Sequence, residues 1–470
     1  MSSNFSFYLI TDSHYMSKQN WVEGEPINLR VRPDNLALKY TPEILDAYID
    51  EIINDKDIDT VIFLGDNIDN GDMNSHYEFR ERLKKLTDNG QKVYMVYATH
   101  DYIGAEDDEC NFQTAKRYLE NGTEAIEFMR RANLPGFYYD YTQKNAVSVD
   151  KESGSYSVKL SDNILLISLI DNGNGRSYCG LFDEGISWLE ARLKEAKENN
   201  TMVIVCVHHP LLPPHDLYEA IVPAEMLGGR DKLKDLFFRY DVRAVFTGHT
   251  HVQNIRKLEN AEGKYLYDIS TISLANPYGL MRKVSIDCES SLCKVENVFA
   301  DICKYGTPDR DELYSQNFPG AYERLLPMAE TDFDLFLSES KGLLPAEKLA
   351  KFRLPLKVFL GKLNKMTMYS LAKHAKVAKS LTDEEKDKAK KMKAADAVFE
   401  VLKHVFRGNG IYTPESMEYK IFHGFFVRID KLKIKKLQTL LHGYSLASVI
   451  EGFLYNNRTG DDDNISFYLK

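Results

Sequence analysis

The sequence predicts an α/β fold for about the first 300 residues and a mainly helical domain for the rest. In the first part, short runs of β-branched and aromatic residues alternate with stretches of helical periodicity. From about residue 311 the strand pattern nearly disappears and long helical patterns follow. We therefore expect two domains, residues 1–305 and 311–470, joined near residues 301–320, a stretch that contains two Gly and two Pro.

The composition excludes several classes of protein. The 470 residues are 43% hydrophobic and 28% charged, with a mean hydropathy of −0.39, which is ordinary for a globular chain and excludes wholesale disorder. No apolar run approaches the roughly 20 residues that span a bilayer. The N-terminus lacks the pattern of a secretory signal, and removal of such a signal from a longer precursor is an alternative that the sequence leaves open. Six cysteines without a CxxC pair favour a reducing, cytoplasmic location.

Strands and helices alternate along the first domain. The strands are predicted at Phe5–Ile10, Thr60–Leu64, Lys92–Tyr97, Ile164–Ile170, Thr201–Val207 and Val242–Phe246. Helices are predicted between them, one beginning at Thr41-Pro42 and one after Asp183. Tyr-rich and Val-rich runs between about 135 and 170 favour antiparallel hairpins, so we expect a mixed sheet. In the second domain, Thr382 and Glu385 form a capping-box pattern.

Aspartate and histidine follow five of these strands. The motifs are Asp12-Ser13-His14, Gly65-Asp66-Asn67-Ile68-Asp69, Thr99-His100-Asp101, His208-His209-Pro210 and Gly248-His249-Thr250-His251. Ligands bind at the carboxyl ends of strands in layered α/β folds, so we expect these side chains to converge. Taken alone, an Asp after a strand is more often a helix cap or a turn residue. Five such coincidences at equivalent positions favour a site.

The residue types indicate which ligand the site would hold. Imidazole and carboxylate together suit borderline first-row cations such as Mn, Fe, Zn or Co. Six or more candidate ligands exceed the four that a tetrahedral site needs, and a carboxylate can bridge two ions about 3.5 to 4 Å apart. The sequence therefore predicts two divalent metal ions, with Mn favoured over Fe or Zn.

The order of the motifs resembles the calcineurin-like metallophosphoesterase superfamily. That superfamily is marked by Asp-x-His, Gly-Asp-x-x-Asp, Gly-Asn-His-Asp or Glu, an isolated His and Gly-His-x-His, and four of the five blocks match here. The resemblance implies a four-layer α/β/β/α sandwich. It also implies a phosphodiesterase in which a hydroxide, activated by the dinuclear metal centre, attacks phosphorus in line. Size and spacing are similar to bacterial members of the class III cyclic-nucleotide phosphodiesterase type.

The resemblance also implies a role for each motif residue. The first metal would be held by Asp12, His14, Asp66 and His251, and the second by Asp66 as a bridge, Thr99, His208 and His249. His100 would steady the phosphate or protonate the leaving oxygen, with Asp101 orienting its ring. Asp69 would hold one of the metal-binding side chains in position without binding the metal itself. The substrate-binding candidates on the adjoining loops are Asn67, Asn70, Tyr102, His209 and Tyr278.

One position departs from the superfamily pattern. Thr99 stands where the pattern has Asn, and a hydroxyl is a weaker ligand than an amide oxygen. We therefore expect the second metal to be held more loosely than the first.

Two alternative functions stay open. A nuclease or other enzyme of polymeric phosphate would use a basic tail as its guide. Residues 311–470 carry 26 basic and 21 acidic residues, against 34 and 49 in residues 1–310, and residues 351–380 hold eight basic residues and no acidic one. A solvated helix face or docking on the acidic first domain would explain the same charges. The second alternative is a non-catalytic binding module on the same fold.

The expected partner is a small phosphoester substrate. Nucleic acid is the less favoured partner, no membrane span is expected, and the sequence does not indicate an oligomeric state.

Overall fold

Two β-sheets pack face to face in the computed structural model of the chain, and helices cover both outer faces. The structure describes residues 4–31, 35–104, 114–172, 179–214, 218, 226–316, 327–329, 331–339, 353–408, 412–433, 444–455 and 461–470.

The strands of the two sheets are mixed in direction. In chain order they are β1 (Asn4–Ile10), β2 (Thr60–Leu64), β3 (Lys92–Val96), β4 (Ala115–Leu119), β5 (Gly122–Ile126), β6 (Ser148–Val149), β7 (Tyr156–Ser161), β8 (Ile164–Leu169), β9 (Met202–Val207), β10 (Ala244–Thr247), β11 (Asn254–Glu259), β12 (Tyr265–Ser270), β13 (Met281–Asp287), β14 (Leu292–Val298) and β15 (Ile465–Tyr468). The first sheet has the order β15-β14-β13-β1-β2-β3, the second has β11-β12-β10-β9-β8-β7-β6, and β4 and β5 form a separate hairpin. β1, β2 and β3 are parallel, as are β8, β9, β10 and β12, so the carboxyl ends of these strands meet at one rim. The prediction of a mixed sheet is confirmed, and the chain forms two such sheets.

Helices complete the four layers. Those of the first part are α1 (Glu25–Val31), α2 (Thr41–Asn54), α3 (Met73–Asp88), α4 (Leu134–Phe137), α5 (Asp183–Glu198) and α6 (Arg230–Arg239). Between the sheets, the rings of Phe7 in β1 and Phe246 in β10 meet edge to face, 6.1 Å apart, within one shared core. α5 and α6 cover the second sheet in a separate core that includes Leu189 and Val205. The predicted sandwich is confirmed, as is the start of α2 at Thr41.

The C-terminal part is mainly helical. Its helices are α7 (Arg310–Gln316), α8 (Phe333–Glu339), α9 (Arg353–Lys365), α10 (Met368–Ala375), α11 (Asp383–Lys391), α12 (Ala394–Arg407), α13 (Met417–Asp430) and α14 (Leu446–Leu454). Helices α9 to α14 share a core of their own, in which Leu371 and Ile421 are buried. The capping box of Thr382 and Glu385 is confirmed at the start of α11. None of the helices that the structure describes is long and apolar enough to cross a membrane.

The end of the chain returns to the first sheet. β15 pairs antiparallel with β14, and Leu292 lies opposite Tyr468. The end of α12 also contacts the first part of the chain, where the backbone N of Gln253 donates to the carbonyl of Phe406 at 2.8 Å. The division into residues 1–305 and 311–470 therefore stays a prediction, and a strand inside the second range belongs to the first sheet.

Candidate metal centre

Five motif residues have left-handed backbone conformations. The φ angle is 49° at Asp12, 39° at His14, 47° at Asp66, 66° at His249 and 55° at His251. Such angles are uncommon for residues with a Cβ, and they persist where the surrounding contacts enforce them, as at ligand sites. Each strand therefore turns sharply where it ends, and its Asp and His side chains converge on the same rim.

Two motif glycines allow this close approach. A Cβ on Gly248 would lie 2.1 Å from Thr11 Oγ1 and 2.4 Å from Asp12 Oδ2. A Cβ on Gly65, whose φ is +100°, would lie 2.6 Å from His208 Nδ1. Any larger residue at either position would displace a candidate ligand.

The first group of candidate ligands joins the ends of β1 and β10. The ligand atoms of Asp12, His14 and His251 all lie within 4.8 Å of one another. The Nε2 atoms of the two histidines are 3.1 Å apart, and Nε2 of His251 is 3.4 Å from Asp12 Oδ1. Nδ1 of His251 donates to Asn35 Oδ1 at 3.2 Å, which leaves the lone pair of this ring on Nε2.

The second group joins the ends of β2, β9 and β10. The ligand atoms of Asp66, His208 and His249 also lie within 4.8 Å of one another. Nδ1 of His208 donates to the carbonyl of Leu64 at 3.0 Å. Nε2 of His208 is 3.0 Å from Asp66 Oδ2, which is the distance of an ion pair when the ring is protonated.

The donor chemistry of both groups fits divalent cations. In a metal-binding histidine, Nδ1 usually donates to a protein oxygen and Nε2 binds the metal, and Nδ1 of His208 and of His251 is held by such a bond. The Nδ1 atom of buried His14 makes no hydrogen bond. Imidazole nitrogens and carboxylate oxygens thus face one another at close range, and a divalent cation could replace the protons that now lie between them. Nitrogen and oxygen donors together suit a borderline first-row metal.

The pKa shifts keep the carboxylates ionised. Burial raises the pKa of Asp12, but His208 and His251 outweigh burial and the pKa falls below its ordinary value. Burial acts in the same way on Asp66, where His208 and His100 bring the pKa well below its ordinary value. Burial alone would lower the pKa of His208, but the negative charges of Asp66 and Asp12 outweigh burial and raise this pKa above its ordinary value, to about 9. Both carboxylates are therefore anionic at neutral pH, which is the form that binds metal.

The ring of His100 lies beside both groups. It packs edge to face on the His14 ring with centroids 4.7 Å apart, and its backbone N donates to Asp66 Oδ1 at 2.8 Å. Its Nδ1 donates to the carbonyl of Asp69 at 2.6 Å. The ring is therefore oriented by the Asp69 backbone.

This replaces the role that sequence reasoning gave to Asp101. The carboxylate of Asp101 accepts hydrogen bonds from the backbone N of Ala98 at 2.8 Å and of Ile68 at 2.9 Å. It also accepts from Asn67 Nδ2 at 3.2 Å. Asp101 thus ties the loop after β2 to the loop after β3, because its side chain points back into the turn that begins at Ala98.

Asp69 is paired with a residue that the sequence did not single out. Arg30 of α1 donates to Asp69 Oδ1, and Nδ1 of His14 lies 3.9 Å from the same oxygen. Asp69, His14 and His100 form a third group of possible ligand atoms. Because the guanidinium of Arg30 neutralises the carboxylate, Asp69 is better placed to support the two histidines than to bind a cation.

Three of the predicted substrate-binding residues stay predictions. Asn67 and Asn70 are buried, and each has a side-chain oxygen that makes no hydrogen bond. His209 is held by Asp171, whose Oδ2 accepts from the backbone N at 3.0 Å and from Nδ1 at 2.9 Å. The ring of His209 packs on the ring of His249, with centroids 4.1 Å apart.

The roles of Tyr102 and Tyr278 in substrate binding also stay predictions. Tyr102 is 1% exposed and lies in the core shared by the sheets. Tyr278 donates its hydroxyl to Asp311, and Arg407 of α12 lies 4.1 Å above its ring. Tyr278 thus connects the C-terminal helices to the first part of the chain.

A comparison with protein families agrees with the order of the motifs. The family model described as calcineurin-like phosphoesterase matches residues 5–253, just over half of the chain. The chain belongs to the calcineurin-like phosphoesterase family.

Relatives of this family member were found among curated proteins and solved structures. The chain is 28% identical to the "probable glycerophosphodiester phosphodiesterase GpdQ" of Arcobacter nitrofigilis over 195 aligned residues. The aligned residues make up 41% of this chain and 56% of that protein. The chain thus spans about half the length of this curated relative. It is 13% identical to a dimetal phosphatase from Danio rerio, with a TM-score of 0.45 over 62% of this chain and 95% of that one. It is also 13% identical to a purple acid phosphatase from yellow lupin seeds, with a TM-score of 0.40 over 66% and 56%.

Thr99 precedes His100, whose backbone N donates to Asp66 of the second ligand group, and it provides a test of metal affinity. The residue is 3% exposed and follows β3. Thr99→Asn would supply an amide oxygen, so we expect it to tighten binding of the second Mn²⁺ by at least about tenfold, the lower end of what a supporting group contributes to metal affinity. Isothermal titration of the metal-free chain with Mn²⁺ measures this.

Thr99→Ser is the matched control because it retains the hydroxyl, and it should bind Mn²⁺ as the parent does. Two equally tight ions in the parent chain, with no gain in Thr99→Asn, would contradict the expectation.

Two residues of the site gave no signal in the sequence. Arg30 and Asn35 lie in and after α1 and reach Asp69 and His251 respectively. Neither residue follows a strand or belongs to a family motif. A basic residue inside a short helix and an Asn in a loop are each most often exposed, so only the packing of α1 reveals them.

Proposed function

We propose that this chain hydrolyses phosphodiesters with two divalent metal ions. The observation that carries the proposal is the convergence of two separate ligand groups at one rim between the sheets. Membership of the calcineurin-like phosphoesterase family supports phosphoester hydrolysis. The printed name of the curated relative, a probable glycerophosphodiester phosphodiesterase, supports a diester, and a glycerophosphodiester is therefore the first natural substrate to test.

We also propose Mn²⁺ as the native metal and the cytoplasm as the location. Mixed imidazole and carboxylate donors support Mn²⁺ among the borderline cations. The five cysteines that the structure describes are free thiols, which is in keeping with a reducing compartment.

The chemistry divides between the ions and the protein. When bound, a pair of such ions activates a water molecule as the nucleophile and neutralises charge on the phosphoryl oxygens. The protein would contribute the ring of His100, whose tautomer is set by the bond from Nδ1 to the Asp69 carbonyl. Nε2 is then the atom through which His100 would contact a phosphoryl oxygen or exchange a proton with the leaving oxygen.

Activity on three substrates tests the proposal. The full chain, loaded with Mn²⁺, is given bis(p-nitrophenyl) phosphate, p-nitrophenyl phosphate and cyclic AMP in parallel. We expect kcat/KM for the aryl diester to exceed that for the monoester by at least about tenfold, which is about 1.4 kcal/mol of transition-state binding.

Two results would redirect the proposal. A preference for the monoester would make the chain a phosphatase. Cleavage of single-stranded DNA that weakens steeply with salt, with poor turnover of all three small substrates, would favour the nuclease alternative.

A further inference from the structure

A buried carboxylate outside the motifs reaches two of the segments that carry candidate metal ligands. Asp268 lies in β12 and is 1% exposed. Its Oδ2 accepts hydrogen bonds from the backbone N of Leu211 and of Leu212, both at 2.7 Å. Its Oδ1 accepts from the hydroxyl of Thr247. The two oxygens of one side chain therefore join the segment after β9 to the end of β10.

Both of these segments carry ligands of the second group. Leu211 comes three residues after His208, and β10 ends two residues before His249. The two segments also meet through the backbone, where the N of Gly248 donates to the carbonyl of His208 at 3.0 Å. Asp268 thus supports this meeting point from the neighbouring strand, β12.

The first ligand group depends on other contacts. The carbonyl of Asp12 accepts from Ser273 Oγ at 2.7 Å. The ring of His251 is held by Asn35, whose Oδ1 accepts from Nδ1 at 3.2 Å. Loss of the Asp268 carboxylate should therefore disturb the second group more than the first.

The carboxylate of Asp268 is ionised at neutral pH. Burial raises its pKa to about 6, while its three hydrogen bonds oppose that shift. Arg256, which lies opposite Asp268 in the pairing of β11 with β12, also lowers the pKa. Hydrogen bonds to a charged acceptor are about twice as strong as bonds between neutral groups. Three such bonds converge here on a single side chain.

We propose that Asp268 is a positioning residue for the second metal ion. The inference rests on the proposed two-metal function and adds to it a residue that lies outside the family motifs. Through two backbone N–H groups and the hydroxyl of Thr247, it keeps the backbone that carries His208 in place relative to the backbone that carries His249.

Isothermal titration of the metal-free full chain with Mn²⁺ tests the role of Asp268. Asp268→Ala removes the acceptor of all three bonds and should weaken the second, looser ion by at least about tenfold, the lower end of what supporting groups contribute to metal affinity. Binding of the first ion should change by no more than about threefold. Asp268→Asn keeps one oxygen for both backbone N–H groups and an amide that can donate to Thr247, so both ions should bind within about threefold of the parent.

Asp150→Ala is the matched control. The carboxylate of Asp150 is also buried, and it also accepts from two backbone N atoms and one hydroxyl, those of Glu152 and Ser153. These bonds stay within residues 150–153, which carry no candidate ligand. Both Ala variants should therefore unfold at a lower temperature than the parent chain, but only Asp268→Ala should lose affinity for the second ion.

The titrations separate the failure of this inference from the failure of the proposed function. Fewer than two Mn²⁺ ions on the parent chain would overturn both together. Two ions on the parent, with Asp268→Ala weakening both equally or neither, would overturn the positioning role alone. If Asp268→Ala does not fold, Thr247→Val removes only the hydroxyl donor and should weaken the second ion selectively by about threefold. Unchanged binding in that variant would also overturn the role.

Discussion

Asp66→Asn should lower kcat/KM for a phosphodiester by at least about 10³-fold, which corresponds to about 4 kcal/mol of transition-state stabilisation. Both carboxylate oxygens of Asp66 are engaged in the site: Oδ1 accepts from the backbone N of His100 at 2.8 Å, and Oδ2 lies 3.0 Å from His208 Nε2. Asp66 is also the residue that the family resemblance makes the bridge between two ions. An amide at this position keeps the shape but removes the negative charge that would hold both cations.

Stability measurements separate loss of metal from loss of fold in this variant. In the metal-free state, Asp66→Asn removes the carboxylate that pairs with buried His208, so the variant should unfold at a lower temperature than the metal-free parent chain. Mn²⁺ should raise the melting temperature of the parent, because a ligand that binds only the folded state stabilises it, and this increase should be largely absent in the variant. Asp88→Asn, which changes an exposed carboxylate at the end of α3, should behave as the parent.

An unchanged Mn²⁺-dependent increase in the melting temperature of Asp66→Asn would show that the carboxylate holds no metal. Retained metal binding with lost activity would instead assign Asp66 to the chemistry alone.

The positions of the candidate ligands could be predicted because each one follows a strand in the sequence. A short apolar run that ends in Asp or His is a local pattern, and parallel strands bring such ends to one edge. The observed strands agree closely with the predicted ones; β2, for example, spans Thr60–Leu64 as expected. The left-handed turns at Asp12 and His249 were not predictable, since they depend on contacts between strands that are far apart in the chain.

Residues that reach the site from elsewhere could not be predicted. Arg30 meets Asp69 only because α1 packs through Ile27 in a small core with residues such as Met16 and Leu36. The same reasoning failed for β15, a four-residue strand that follows a long helical region and pairs with β14 far back in the sequence. Neither contact leaves a periodic pattern or a characteristic residue spacing that can be recognised in a single sequence.

The attachment of the chain end depends on one buried arginine. Arg282 of β13 is 0% exposed and donates to the backbone carbonyls of Ser270, Asp462 and Asp463 at 3.0 Å each. It also donates to Thr271 Oγ1 at 3.1 Å. Burial lowers its pKa to about 10, while the acidic residues around Asp462 oppose that shift, so the guanidinium stays charged at neutral pH.

Arg282→Met should lower the free energy of unfolding by about 3 to 5 kcal/mol, the cost of removing one partner from a buried charged network. The substitution keeps much of the volume but leaves buried carbonyl groups of two distant segments without a donor. Because two of those carbonyls belong to Asp462 and Asp463, the amides of β15 should exchange with solvent faster than those of β1. Urea unfolding and hydrogen exchange measure the two effects.

Two comparisons make the Arg282 result specific. Arg282→Lys retains the charge but cannot reach all the acceptors that the guanidinium fork reaches, so its loss should be intermediate. Arg239→Met breaks an exposed pair with Glu190 and should cost no more than about 1 kcal/mol. If Arg282→Met unfolded like Arg239→Met and β15 kept its protection, the guanidinium would not be what holds the end of the chain, and the pairing of β15 with β14 would have to suffice.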